Sequence, residues 1–134
     1  MTSADSSARL LELLKTEQQK LAVIHDKHVP ILFKVAPDLT EPQIADLAKA
    51  FLDGGLDGLI ATNTTLDREK VADHKWANEA GGLSGKPVLE KSNHTLAAFA
   101  AAFSQTRRAM RRVGSVGSSA GAAPPSDVRG SSLS

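Results

Sequence analysis

The chain has 134 residues and a net charge of +1, enough for one domain with a modest core. It contains no Cys, which excludes disulfides, thiolate metal sites and Cys nucleophiles. No apolar run approaches the roughly 18 residues of a membrane span, and MTSADSSARL does not read as a signal peptide, so a soluble intracellular protein is expected.

From Ala8 to about Ile24 the spacing predicts a helix, with Leu10, Leu14, Leu21 and Ile24 on its inward face. After Pro30, ILFKV (31–35) predicts a short buried strand with Ile31, Phe33 and Val35 on one side and Lys34 on the other. LTEPQ supplies a capping box, Thr40 as N-cap and Gln43 three residues on, with Pro42 in the first turn. The helix it opens carries Ile44, Leu47, Ala48 and Phe51 inward and stops at Gly54-Gly55.

DGLIAT (57–62) predicts a second strand, and its distance from the first suits a βαβ unit with a parallel pair. A long loop, 63–86, ends in GGLSGKP. A third helix is expected from about Pro87 to Phe103, with Leu89, Leu96, Phe99 and Phe103 inward. The order is α/β. Two strands do not complete such a sheet, and a (β/α)8 barrel takes about 250 residues, so the pattern suits a slice of something larger.

The charge is divided. Residues 1–103 hold 11 Lys+Arg against 14 Asp+Glu, whereas residues 104–134 hold five Arg, no Lys and only Asp127. This Arg-, Ser-, Gly-, Ala- and Pro-rich stretch reads as a disordered tail. It is either a basic tail for anionic partners or an out-of-frame translation. Gly114–Ser119 encoded GGG TCG GTG GGA TCC TCN reads Val-Gly-Gly-Ile-Leu from the third base. The tail arginines lack the aromatic interleaving of single-strand nucleic-acid binders, and no nucleic-acid partner is expected.

Several residues are candidates for chemistry. Lys34 is either an edge-strand lysine or a cation aimed at a ligand near the strand's C-terminal end. Asn63 and Thr64 follow the second strand. An amide offers a donor and an acceptor side by side, which suits a pyrimidine-like imide edge, although a cap or Asx turn is the plainer reading of these residues taken alone. GGLSGKP could present bare amides to a phosphate but is not a Walker loop, because Ala80 and Pro87 break that pattern. His25 and His28 have no evident third metal ligand, and no metal site is expected. Trp76 reads as loop packing.

Together FKVAPDLTEPQI, DGLIATNTTLDR and NEAGGLSGKPVLEKS closely resemble the quinone-dependent (class 2) dihydroorotate dehydrogenases, over about residues 4–103. The resemblance implies a partial (β/α)8 TIM barrel, about two strands and three helices, in 1–103. It also implies FMN as cofactor and oxidation of dihydroorotate to orotate in pyrimidine biosynthesis, with ubiquinone as acceptor. By matching position, Lys34, Thr62 and Gly85 bind FMN, and Asn63 and Thr64 bind the orotate ring and carboxylate.

The family's catalytic serine base lies upstream of the matched region, so no catalytic residue is assigned here. Family members are peripheral on the inner membrane, on its cytoplasmic side in bacteria. Without the membrane-associating helices this chain is expected to be cytoplasmic and inactive alone. The alternative is a non-catalytic α/β piece or interaction protein that retains the motifs.

Overall fold

The computed structural model describes residues 2–114 of the chain, with side chains through Gln105. Helix α1 spans Ser3–His25, strand β1 Leu32–Val35, helix α2 Glu41–Asp53, strand β2 Gly58–Ala61 and helix α3 Leu89–Gly114. Short 3-10 turns at Glu69–Val71 and Lys86–Val88 punctuate the long loop.

The two strands pair in parallel, with Leu32 opposite Gly58, Phe33 opposite Leu59, Lys34 opposite Ile60 and Val35 opposite Ala61. Because strand side chains alternate, Phe33 and Val35 share a face with Leu59 and Ala61. That face packs against α2 and α3. Leu32, Lys34 and Ile60 occupy the opposite, open face.

Helix α2 is the centre of the packing. Its capping box is formed as the sequence predicts: Gln43 N–H donates to Thr40 Oγ1 at 3.4 Å, and Thr40 N–H donates to Gln43 Oε1 at 2.9 Å. Ile44, Leu47, Ala48 and Phe51 are all buried, as the helical spacing requires. Four phenylalanines run through the core in sequence of contact. Phe33 lies 5.0 Å from Phe51, Phe51 6.3 Å from Phe99, and Phe99 5.9 Å from Phe103.

Helix α1 differs from its sequence reading in two ways. It starts before Ala8, because Thr2 and Asp5 form a capping box that the apolar pattern does not reveal. It also turns a different face inward. Leu11 and Gln18 are buried, while Leu10, Leu14, Leu21 and Ile24 are 49%, 38%, 51% and 70% exposed.

The reason is local fit. A Cβ on Gly54 would come within 2.5 Å of Leu11 Cδ2, so Leu11 sits against the bare end of α2. One turn pair further on, Gln18 Nε2 donates to Val29 O at 2.6 Å and to Asp57 Oδ2 at 2.9 Å. These contacts choose the face, and the richer leucine stripe is left outward.

In α3 the expected inward residues divide. Phe99 is buried and Phe103 packs on the core, but Leu89 and Leu96 are half exposed. Thr95 is buried in their place and donates to Pro37 O at 3.4 Å, joining α3 to the end of β1. The helix also runs past Phe103, its expected end, to Gly114, through a stretch rich in the helix formers Gln, Arg, Ala and Met. The remaining tail expectation, for 115–134, lies outside the described residues.

Candidate functional site

The candidate site begins where the two strands end. Beyond β2, Asn63 N–H donates to Val35 O at 2.7 Å, which carries the parallel ladder into the polar run Thr62–Thr65. The four residues of that run divide by partner. Thr62 Oγ1 lies 2.6 Å from Ser92 Oγ on α3 and donates to Asn63 O at 2.9 Å. Thr65 is buried, and its hydroxyl donates to Asp38 Oδ1 at 2.5 Å. Between these two anchors, Asn63 and Thr64 are exposed.

Asn63 uses its side-chain oxygen locally, accepting Thr64 N–H at 2.9 Å. That is the turn-like bond expected of an Asx residue. It leaves the amide donors of Asn63 and the Thr64 hydroxyl without hydrogen-bond partners among the described residues. The outer pair of the run is structural; the inner pair presents polar groups.

Lys34 points from β1 into the open face beside Ile60, its register partner. It is exposed and has no hydrogen bond or ion pair among the described residues. Leu32, 50% exposed, and Ile60, 44% exposed, flank it with apolar surface. A cation between two aliphatic side chains suits a planar ring with one electron-rich edge.

Gly85 has φ +81°, a conformation that favours glycine, and a Cβ there would meet nothing within 4 Å. The backbone, not packing, requires glycine, and the space beside it is open. Its loop is tied back to the strand end by a two-way bridge. Thr65 N–H donates to Leu83 O at 3.0 Å, and Leu83 N–H donates to Thr65 O at 2.8 Å.

A charged network underlies the exposed pair. Lys91 on α3 donates to Asp67 Oδ2 at 2.5 Å and to Asp38 Oδ1 at 3.3 Å. Asp38 also accepts Leu66 N–H at 3.2 Å. Partial burial alone would raise the Asp38 pKa, but the Thr65 hydroxyl, the Leu66 amide and Lys91 outweigh it, and the carboxyl is held below its ordinary range. Asp67 is lowered chiefly by its bond from Lys91, and Lys91 is raised chiefly by Asp67.

The sequence assigns no role in binding to Asp38, Thr65, Arg68, Lys91 or Ser92. Asp38 alone had a signal, as the acid directly after the Pro that ends β1. Trp76 does not pack into the loop as expected: it is 58% exposed, with Lys75 Nζ 5.0 Å from its ring centroid. His28 lies 3.5 Å from Asp57 Oδ1, in the tether of α1.

Residues 2–120 match the family described as dihydroorotate dehydrogenase. A dihydroorotate dehydrogenase (quinone) of Akkermansia muciniphila is 54% identical over 100 residues, covering 75% of this chain and 29% of the relative. One of Neisseria meningitidis is 49% identical over 96 residues, covering 72% of this chain and 29% of the relative. Among solved structures, dihydroorotate dehydrogenase of Eimeria tenella in complex with ferulenol superposes with a TM-score of 0.69 at 30% identity, over 76% of this chain and 31% of that one. The chain thus spans under a third of the length of these relatives.

Proposed function

This chain belongs to the dihydroorotate dehydrogenase family, and we propose that its strand ends form part of the FMN and substrate face of a quinone-dependent enzyme that oxidises dihydroorotate to orotate. The α/β unit described above is that of a TIM-barrel family. The observation that carries the reading is the division of Thr62–Thr65. Two anchored threonines hold an exposed Asn-Thr pair whose amide N–H donors and hydroxyl have no partner among the described residues.

The residues present fit FMN. Lys34 is a cation without a partner among the described residues, on an otherwise apolar strand face, and Gly85 leaves room beside an accessible backbone. Lys34 and Gly85 would hold the cofactor, with Thr62 contributing the acceptor capacity that its bond to Ser92 leaves free. When bound, FMN supplies the acceptor for the electrons removed from dihydroorotate.

The chain's own part is binding and orientation. Asn63 amide donors suit a ring carbonyl, and the Thr64 hydroxyl suits the substrate carboxylate. Lys34 would supply positive charge beside the bound cofactor. A rigid, pre-set arrangement of this kind lowers the cost of aligning substrate with cofactor.

The quinone acceptor and attachment to a membrane surface belong to the same proposal. No helix among the described residues is long and apolar enough to cross a membrane. Calorimetric titration of the native protein with FMN and then with orotate tests the assignment. Saturable binding of both is expected; binding of neither overturns it.

A further inference from the structure

Arg68 makes an unusual set of contacts for an arginine at a loop surface. Its Nη1 donates to Thr65 O at 3.2 Å and to Asp67 O at 3.4 Å. Its Nη2 donates to Glu79 O at 3.3 Å and also to Gly81 O. One guanidinium therefore binds backbone carbonyls at both ends of the loop that leaves β2 and returns toward α3. A planar fork with fixed donor directions can do this; a lysine ammonium, a point charge on a flexible stem, does so less well.

The returning strand of the loop touches the exposed pair directly. A Cβ on Gly82 would lie 1.8 Å from Thr64 Oγ1 and 2.4 Å from Thr64 Cβ, so Gly82 and the Thr64 side chain are in close contact. Gly82 is itself held on both sides. Gly81 O accepts from Arg68, and Leu83 exchanges two backbone hydrogen bonds with Thr65.

We propose that Arg68 is a positioning residue, which fixes the Thr64 hydroxyl and the neighbouring Asn63 amide for substrate by clamping the two ends of this loop. The proposal rests on the substrate-site reading above. It deepens that reading by adding a residue that touches neither substrate nor cofactor. Thr64 has few other constraints: it is exposed, and its hydroxyl has no partner among the described residues. The clamp therefore sets its place through Gly82.

The test compares the native protein with Arg68→Lys and Gly82→Ala, reading orotate affinity, FMN affinity and amide hydrogen exchange. Arg68→Lys should weaken orotate binding by about tenfold or more, because a small displacement of a binding group is costly, and should leave FMN binding unchanged. It should also speed exchange at the Thr65 and Leu83 amides while leaving Ile44–Phe51 of α2 as protected as before.

Wild-type orotate affinity in Arg68→Lys overturns the proposal. So does a loss of protection that extends equally through α2, which marks a general stability role. Should wild-type protein bind no orotate, the substrate-site reading falls by itself. Exchange at Thr65 and Leu83 then decides the clamp, and unchanged exchange overturns it. Should Arg68→Lys not fold, Gly82→Ala keeps the guanidinium and pushes on Thr64. It must weaken orotate binding without affecting FMN, and unaltered orotate affinity overturns the proposal.

Discussion

Gln18 on α1 donates to Asp57 at the entrance to β2, Nε2 to Oδ2 at 2.9 Å, across 39 residues of sequence. Asp57 also accepts Ile31 N–H at 2.8 Å and faces Lys15 at 3.6 Å and His28 at 3.5 Å. The one carboxylate thus joins α1, the approach to β1 and the start of β2. Its pKa falls to about 2, first through the Ile31 amide, then through Gln18, with the Lys15 and His28 charges adding less.

A depressed carboxylate contributes stability that is fully present above its unfolded pKa and is lost as pH falls through its folded one. For Asp57 that window lies between about 4 and about 2. Denaturant midpoints should therefore fall across this range in the wild-type protein, and fall less steeply in Asp57→Asn. Equal slopes in the two proteins would remove Asp57 as the titrating tether.

The described surface also predicts association. Leu10, Leu13, Leu14, Leu21 and Ile24 on α1, with Leu32 and Ile60 on the open sheet face, are exposed, and each strand has one unpaired edge among the described residues. Apolar area and open edges of this kind favour contact with further chain. A polypeptide of residues 1–134 should scatter light increasingly with concentration, and Leu14→Glu with Leu21→Lys should reduce that scattering while helical circular dichroism persists. Concentration-independent monomers of the unmodified polypeptide would refute the expectation.

These surfaces mark where sequence reasoning stops. Helix α2 is legible because its cap, Thr40 with Gln43, and its buried spacing, Ile44 to Phe51, are both local signals that agree. Helix α1 carries two apolar stripes, and choosing Leu11 over Leu10 and Leu14 depends on Gly54, far along the chain. In the same way nothing within the polar run tells which of its residues are left exposed, Asn63 and Thr64, and which are anchored, Thr62 and Thr65. Their partners, Ser92 at 30 residues and Asp38 at 27, come from tertiary structure that no pattern within TNTT encodes.

Lys34 and Asn63 should separate in their effects. In an intact family member, replacing the residue that matches Asn63 by Ala removes amide donors from the proposed substrate pocket and should cost about 2–4 kcal/mol of transition-state stabilisation, read as kcat/KM, because ring polar groups lose their partners. Replacing the residue that matches Lys34 by Ala in the same protein should lower flavin content or flavin reduction more than orotate affinity. Unchanged kinetics and flavin content in both variants would withdraw the assignment of these residues.

Thr65 gives the most direct test of the frame beneath the exposed pair. It is 2% exposed, donates to Asp38 at 2.5 Å, and its hydroxyl oxygen accepts Asp67 N–H at 3.0 Å. Thr65→Val keeps the shape and deletes both bonds, leaving the Asp67 amide without this acceptor and Asp38 without its shortest donor. Two hydrogen bonds are lost, one of them to a charged carboxylate, and water replaces part of each at these partly exposed partners. Thr65→Val should therefore lower denaturant stability by about 1–3 kcal/mol. Thr65→Ser keeps the hydroxyl and loses one methyl, which costs about 1 kcal/mol or less.

The order wild type, Ser, Val therefore identifies the hydroxyl as the important group, whereas Ser falling below Val would identify the methyl. The Asp38 carboxyl supplies an independent readout. Burial raises its pKa while Thr65, Leu66 N–H and Lys91 lower it, so removing the hydroxyl should move the titration of Asp38 upward. Carboxyl chemical shifts followed against pH in wild type and Thr65→Val measure that movement. An Asp38 titration indifferent to the substitution would show that Lys91 and the Leu66 amide hold the carboxylate without Thr65.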